Sequence, residues 1–307
     1  MKPYFKNLLL RFKGSASKVL LLLKTTVVKW WLMDPFRQSA IIAYYAIFSL
    51  PALLVIVITV AGLAFGADAA SGKIFEQVKA TMGSETADQI KEMLVKATHS
   101  KMTIWATVIG VITMLLGSIG VFVELQKTMN IIWEVEGTYR KGIWGFLRSR
   151  IFSFGLILAI AFLLIISLVI STVLAAVGGL LHTDSSKFFL AFFNLLNFII
   201  SLGVISLLFA LMFKYLPDAK ITWRHIWLGA LLTGIFFTIG KTALAFYFGK
   251  AEPGSGYGAA GSIILILLWT SYSSMILFLG AEFTHTYANI YCGGVAANAT
   301  GKNVQPK

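Results

Sequence analysis

The chain has 307 residues, of which 58% are hydrophobic and 13% are charged, and its net charge is +13. A soluble globular domain is about half apolar and about a quarter charged, so this composition excludes an ordinary water-soluble protein. Six apolar runs are each long enough for the roughly 20 helical residues that cross a bilayer. The sequence therefore predicts an all-α integral membrane protein, a bundle of six transmembrane helices.

The excess of positive charge indicates which partners to expect. In a soluble protein it would suggest nucleic acid. In a membrane protein the same excess is typical of cytoplasmic loops that meet anionic headgroups. We therefore expect membrane lipids, anionic lipids among them, as partners, and no nucleic acid.

The first segment, residues 1–37, is basic and amphipathic. Lysines and arginines alternate there with apolar clusters, including Leu8–Leu10, Val19–Leu23 and the pair Trp30–Trp31. Such a pattern is typical of a helix that lies in the membrane interface, with tryptophan at headgroup level. The alternative is a solvated basic tail.

The transmembrane domain follows over residues 38–287. Its predicted spans are 38–66, 102–123, 151–180, 188–213, 226–248 and 258–286. The outer loop, residues 67–101, places apolar residues at helical spacing and should form two short amphipathic helices. Residues 288–307 are small and polar and should form a disordered cytoplasmic tail.

Lysine and arginine predict the orientation of these spans. The segments on the side of the N-terminus hold 18 of these residues, and the segments on the other side hold 7. Because cytoplasmic loops are enriched in positive charge, both termini should be cytoplasmic.

Four stretches resemble one family. They are 43–57 (AYYAIFSLPALLVIV), 120–133 (GVFVELQKTMNIIW), 212–230 (MFKYLPDAKITWRHIWLGA) and 256–287, from the outer turn through the last helix. In sequence and order they resemble the YihY/BrkB-like bacterial inner-membrane proteins. The resemblance implies a plasma-membrane protein of about six helices, linked in some members to virulence or lipid export. The family has also carried a ribonuclease BN label.

The residues themselves do not support a nuclease. Metal-dependent hydrolysis needs clustered carboxylates or histidines, and the four histidines, His99, His182, His225 and His285, are divided between the two sides of the predicted membrane. No nucleotide-binding GxxxxGK[ST] motif occurs. We expect no metal, no cofactor and no enzyme activity; a membrane-embedded enzyme lacks a nucleophile–base pair.

Polar residues predicted at similar depth suggest a substrate cavity in the outer half of the bundle. Its candidate residues are Lys241, Asn194, Asn197, Thr238 and Ser262. Lys241 would be the cationic centre for an anionic ligand, because a buried lysine in lipid costs several kcal/mol, about 2.5–3.5 on insertion scales. The alternative is that Lys241 extends its long side chain to the outer headgroups.

A second group of charges is predicted at the cytoplasmic ends of the helices. It comprises Glu124, Glu282, Arg148, Arg150 and Lys214. These residues should form a layer of ion pairs that holds the helix ends together, since charges near helix ends commonly pair. A gate that opens when the pairs break is the alternative.

Together these patterns favour a transporter or lipid-translocating protein. The substrate would be amphiphilic or anionic and would pass along the hydroxyl groups in the middle of the last helix. The alternative is a non-catalytic membrane scaffold of the cell envelope.

Overall fold

The computed structural model describes residues 3–49, 71–72, 75–76, 79, 87–88, 91, 104–135, 187–219, 221–251, 253, 256–257 and 261–291. Within them the long elements are all helices. We label them α1 (Pro3–Leu32), α2 (35–49), α3 (Ile104–Ile132), α4 (Lys187–Tyr215), α5 (Trp223–Ala251) and α6 (Gly261–Tyr291).

Three of the described helices are long and apolar enough to cross a membrane. Their candidate spans are Leu195–Tyr215 in α4, Trp223–Ala251 in α5 and Ile263–Tyr291 in α6. The predicted span 151–180 and the second half of 38–66 lie outside the described residues. The all-helical class is confirmed over the described part of the chain, while the count of six spans stays a prediction.

The outer loop is helical at each of its described positions. Lys91 lies over the ring of Phe75, with Nζ 6.0 Å from the ring centroid. This contact joins the two segments that were predicted as separate short helices. The predicted tail 288–307 is described only as far as Tyr291, where α6 ends.

The helices meet at one end of the bundle, which we call the base. There α1, α3, α4 and α6 end and α2 and α5 begin. The turn from α1 to α2 passes through Asp34, whose φ of 52° is a left-handed conformation that aspartate tolerates better than most residues. The main apolar core also lies at the base, around Met129, Phe213, Ile226 and Phe278.

α6 packs against α5 along most of its length. A Cβ at Gly229 would overlap Thr284 Oγ1, and a Cβ at Gly280 would overlap Thr233 Oγ1. The two helices are therefore antiparallel and so close that each glycine faces a threonine of the partner helix. Nearer the other end, Gly240 accommodates the hydroxyl of Tyr272. Small residues of this kind allow close helix contact in membranes.

α1 packs its last turns against α6. Leu22 and Thr26 are buried, while Leu20, Trp31 and Leu32 are exposed. The first segment is thus a long helix with one packed face and one exposed apolar face. Its predicted location in the membrane interface stays a prediction.

Candidate functional site at the base of the bundle

A row of polar side chains follows one face of α6 at the base. Its members are Glu282, His285, Thr286 and Asn289, spaced three or four residues apart, which places them on one helix face. Glu282 is only 2% exposed, although it belongs to a candidate membrane span. The row extends over seven residues, about 10 Å along the helix.

Each member of this row contacts the next. Thr286 Oγ1 donates to Glu282 Oε1 at 3.0 Å. His285 Nδ1 lies 3.9 Å from the same oxygen, which exceeds hydrogen-bonding distance. On the other side of the ring, Asn289 Nδ2 lies 2.8 Å from His285 Nε2. An amide nitrogen only donates, so Nε2 accepts and the ring hydrogen resides on Nδ1.

The end of α3 covers this row. The ring of Trp133 lies 5.2 Å from the imidazole of His285, between centroids, and Trp133 is 4% exposed. Neither Trp133 Nε1 nor His285 Nδ1 has a hydrogen-bond partner in the described structure. Buried N–H groups are rarely left in this state, because each unsatisfied group costs about 1–3 kcal/mol.

The last turns of α1 form another wall. Lys29 Nζ donates to Glu134 Oε1 at 2.9 Å, and this pair joins α1 to the end of α3. The hydrogen bond from Lys29 is the main cause of the lowered pKa of the Glu134 carboxyl; burial opposes this effect, and the positive charge of Lys29 adds to it.

A second polar layer joins α2 to α3 and α6. Thr128 Oγ1 donates to Gln38 Oε1 at 3.0 Å, with both side chains buried. The hydroxyls of Ser39 and Ser271 lie 3.0 Å apart. These hydrogen bonds satisfy polar groups that would otherwise be buried without a partner, and they position α2 against α3 and α6.

The loop between α4 and α5 is attached to α3 through Asp218. Asn130 Nδ2 donates to Asp218 Oδ2 at 2.9 Å, and the Asp218 backbone N–H donates to Asn130 Oδ1 at 2.8 Å. Gln126 Nε2 adds a bond to Oδ1 at 3.3 Å. The loop is also closed by Lys214 Nζ, which donates to the backbone oxygen of Ile221.

Three of the five residues of the predicted layer of ion pairs lie at the base. Glu124 is 8% exposed and lies 3.5 Å from Lys127 Nζ, a neighbour on α3. Glu282 contacts Thr286 and His285, and Lys214 contacts a backbone carbonyl. Arg148 and Arg150 lie outside the described residues. Their pairing with the two carboxylates stays a prediction.

The predicted outer cavity is described in part. Lys241 and Thr238 are partly buried on α5, and Thr238 Oγ1 donates to the backbone oxygen of Gly234 at 2.8 Å. Asn197 is exposed on α4. The side chains of Asn194 and Ser262 lie outside what the structure describes, so the cavity stays a prediction.

The sequence analysis missed several polar members of the base. Gln38, Asp218 and Asn289 were not selected, and His285 was considered only as a metal ligand. One available signal was the spacing of Glu282, His285, Thr286 and Asn289 on a single helix face. Over the part of the chain that the structure describes, no group of three or more His, Cys, Asp or Glu side chains is placed to hold a metal ion.

Comparison with known proteins relates this chain to a family of membrane proteins. A profile of the family described as Virulence factor BrkB matches residues 27–302. A UPF0761 membrane protein of Verminephrobacter eiseniae is 28% identical over 192 residues, 62% of this chain and 44% of that protein. One from Tolumonas auensis is 30% identical over 185 residues, 59% of this chain and 57% of the relative.

A third relative has a different name. YfkH of Bacillus subtilis, whose name describes it as ribonuclease-like, is 24% identical over 264 residues, covering 85% of this chain and 92% of the relative. The chain spans about half the length of the first two relatives. No solved structure matches.

Proposed function

Because this chain belongs to the BrkB virulence-factor family, whose relatives are named as membrane proteins, we propose that it is a plasma-membrane transporter that translocates an amphiphilic or anionic molecule such as a lipid. Both termini are cytoplasmic in this proposal, so the base faces the cytoplasm.

The observation that carries the proposal is the buried carboxylate of Glu282 within a candidate membrane span. A charged side chain in a membrane helix costs about 2.5–3.5 kcal/mol at the bilayer centre on insertion scales, and such residues usually mark ion or substrate pathways. A protein that only needed to hold helices together could use apolar side chains at lower cost.

Lys241 on the neighbouring helix α5 also supports a transport function. Lys241 is partly buried in the candidate span of α5, about 15 Å along the helix from its end at Ala251. The ion pairs between described residues do not include Lys241. An anionic headgroup is a suitable partner for a lysine in this position.

Hydroxyl groups of α6 lie at the level of Lys241, because Gly240 of α5 faces Tyr272. Residues 270–274 are Thr, Ser, Tyr, Ser and Ser, and each is partly or fully buried. The Ser273 hydroxyl is buried without a hydrogen-bond partner in the described structure. A polar headgroup held at Lys241 would find these hydrogen-bonding groups beside it.

The first test is native mass spectrometry of the purified protein for retained lipid. We expect the wild type to retain anionic lipid and Lys241→Met to retain at least about tenfold less, a change equivalent to about 1.4 kcal/mol. Lys250→Met is the matched control, because Lys250 is exposed at the end of the same helix. Equal retention by all three proteins would contradict a role for Lys241.

The second test measures movement. The protein is reconstituted in vesicles that contain a fluorescent phosphatidylglycerol analogue, and dithionite reports how fast the analogue reaches the outer leaflet. Transport predicts a faster exchange than in vesicles without protein. If no lipid is retained and none moves, the scaffold function replaces transport, and a stoichiometric protein partner should be found by pull-down.

A further inference from the structure

The geometry of α6 points to a proton relay at the base, in which cytoplasmic water, His285 and Glu282 exchange one proton, and we infer that this proton controls the transport step. The inference rests on the proposed function, and it adds control of transport by cytoplasmic pH. It starts from the unusual state of His285, which is buried, bonded on one nitrogen and unsatisfied on the other.

The relay has an entrance at the end of α6. Asn289 is exposed and bonds His285 Nε2 at 2.8 Å. Rotation of the Asn289 amide replaces its N–H donor with its oxygen, an acceptor, so that Nε2 can hold a proton taken from water. The imidazole thus connects the surface of the base to its interior.

The inner end of the relay is Glu282. His285 Nδ1 holds the ring hydrogen and lies 3.9 Å from Glu282 Oε1. A shift of about 1 Å in either side chain brings these atoms to hydrogen-bonding distance. Thr286 Oγ1 already bonds the same oxygen and orients it.

One proton passes through in two transfers. Nε2 takes a proton from a hydronium ion, which leaves a water molecule and forms an imidazolium, and Nδ1 then gives its proton to Glu282 Oε1. The N–H bond at Nδ1 breaks, an O–H bond forms on Glu282, and His285 is again neutral with its hydrogen on Nε2. The result is a neutral Glu282 in place of a carboxylate. Return of the proton along the same path restores the starting state.

Charged and aromatic groups surround His285. On α6 the nearest charge is Glu282, and at the end of α3 it is Glu134. Lys29 of α1 faces Glu134 and is bonded to it. Trp133 presents its ring to the imidazole, and an aromatic face attracts a cation.

Other titratable groups at the base contact neighbouring residues or solvent. Glu124 of α3 pairs with Lys127. His225, at the start of α5, lies 3.1 Å from Thr222 Oγ1 through its Nδ1, and the neighbouring Arg224 is exposed. The face of α5 that meets α6 carries Gly229 and Thr233, which have no charge.

Protonation of Glu282 links the relay to movement of the helices at the base. With the carboxylate charged, the base holds an anion beside the helix contacts of α1, α3 and α6. With the proton bound, that charge is removed and the balance between two arrangements of these helices changes. A ligand or proton can shift such an equilibrium only through a difference of this kind in binding.

The proton site itself is tested without transport. The fluorescence of the purified protein is followed between about pH 5 and 8, the range in which histidine commonly changes charge. Trp133 should lose fluorescence as His285 gains its proton. We expect a step in the wild type that His285→Gln and Trp133→Phe each remove and that His225→Gln leaves in place. A step that persists in both His285→Gln and Trp133→Phe overturns the site.

Control by pH is tested in the lipid-exchange vesicles, with the same pH on both sides, between about pH 5 and 8. We expect the exchange rate of the wild type to change with pH and that of Glu282→Gln, which resembles the neutral form, to stay constant. A wild-type exchange rate that does not change with pH overturns the control and leaves the transport proposal intact. A fluorescence step with no lipid exchange overturns the proposed transport and leaves the proton site standing. Thermal unfolding of each variant shows whether it is folded.

Discussion

Single side chains at the base hold together helices that are distant in the sequence. Lys29 reaches Glu134 across 105 positions, and Glu134 sits in a left-handed turn with φ 52° just after α3. Both side chains are about half exposed, at 38% and 54%. Their bond therefore positions α1 more than it stabilises the fold.

Lys29→Met should lower the free energy of unfolding by no more than about 1 kcal/mol at neutral pH, because exposed pairs contribute little. Because folding lowers the pKa of Glu134, the ion pair contributes its full stability above pH 4.5, the usual pKa of this carboxyl. The contribution is lost as pH falls through the lower pKa of the folded state. Thermal unfolding over a pH series should show wild type and variant converging in acid. Lys24→Met, on the exposed side of α1, is the control, and a difference independent of pH would contradict this assignment.

Asp218 is expected to contribute more. It accepts hydrogen bonds from Asn130 and Gln126, and its removal leaves these amides without their acceptor. Asp218→Ala should reduce stability by about 1–3 kcal/mol, measured by thermal unfolding. Asp34→Asn is the matched control, because it removes an exposed carboxylate and keeps a residue that tolerates positive φ. Equal effects from the two changes would show that Asp218 does not attach the loop.

The antiparallel helices α5 and α6 pack closely against each other. Glycine on each helix faces threonine on the other, and each threonine hydroxyl bonds its own helix one turn back, as in Thr233 to Gly229 O at 2.6 Å and Thr284 to Gly280 O at 2.7 Å. The polar groups are thus satisfied inside each helix, and the contact between helices is steric. Such an interface suits a rigid unit against which other helices can move.

Gly280→Ala should disturb this interface. The added methyl group would overlap Thr233 Oγ1, which is buried and cannot move away freely. We expect a loss of about 1–3 kcal/mol in thermal unfolding, typical of overpacking. Gly203→Ala on α4 is the control, because nothing lies within 4 Å of a Cβ there. A helical glycine in open space should be neutral or gain up to about 1 kcal/mol. Similar behaviour of the two variants would contradict close α5–α6 contact.

The predicted arrangement of the chain in the membrane would place all the described polar contacts of the base on the cytoplasmic side. The same side carries 18 of the lysines and arginines that lie outside the predicted spans, against 7 on the other. The proposed relay and the proposed anion site then open to opposite compartments. The proposed transport therefore depends on the orientation of the protein in the membrane.

Cysteine labelling tests the orientation. Cys292 is the single cysteine, and an impermeant maleimide added to intact cells should not reach it if the C-terminus is cytoplasmic. In a Cys292→Ser background, Asp88→Cys in the exposed outer loop should be labelled from outside. Permeabilised cells provide the control for reactivity of both positions. Labelling of Cys292 in intact cells would reverse the predicted topology.

Much of the fold followed from hydrophobicity, because a chain in lipid must satisfy its backbone within helices. The predicted spans 188–213, 226–248 and 258–286 became Lys187–Tyr215, Trp223–Ala251 and Gly261–Tyr291. At the base, all three helices continue two to five residues beyond the apolar runs. Hydropathy cannot detect these ends, since a helix that leaves the bilayer keeps its hydrogen bonds while its side chains become polar.

The sequence predicted members of the site only where a charged side chain interrupts an apolar run. Glu124 and Glu282 stand out against apolar sequence, and both are buried at the base. His285, Asn289 and Gln38 do not stand out, since neutral polar residues are common at helix ends. Their roles depend on which helix faces come together, and packing between helices distant in the sequence determines that. Local sequence therefore specifies the helices, whereas the contacts that make a site of Glu282 arise from long-range packing.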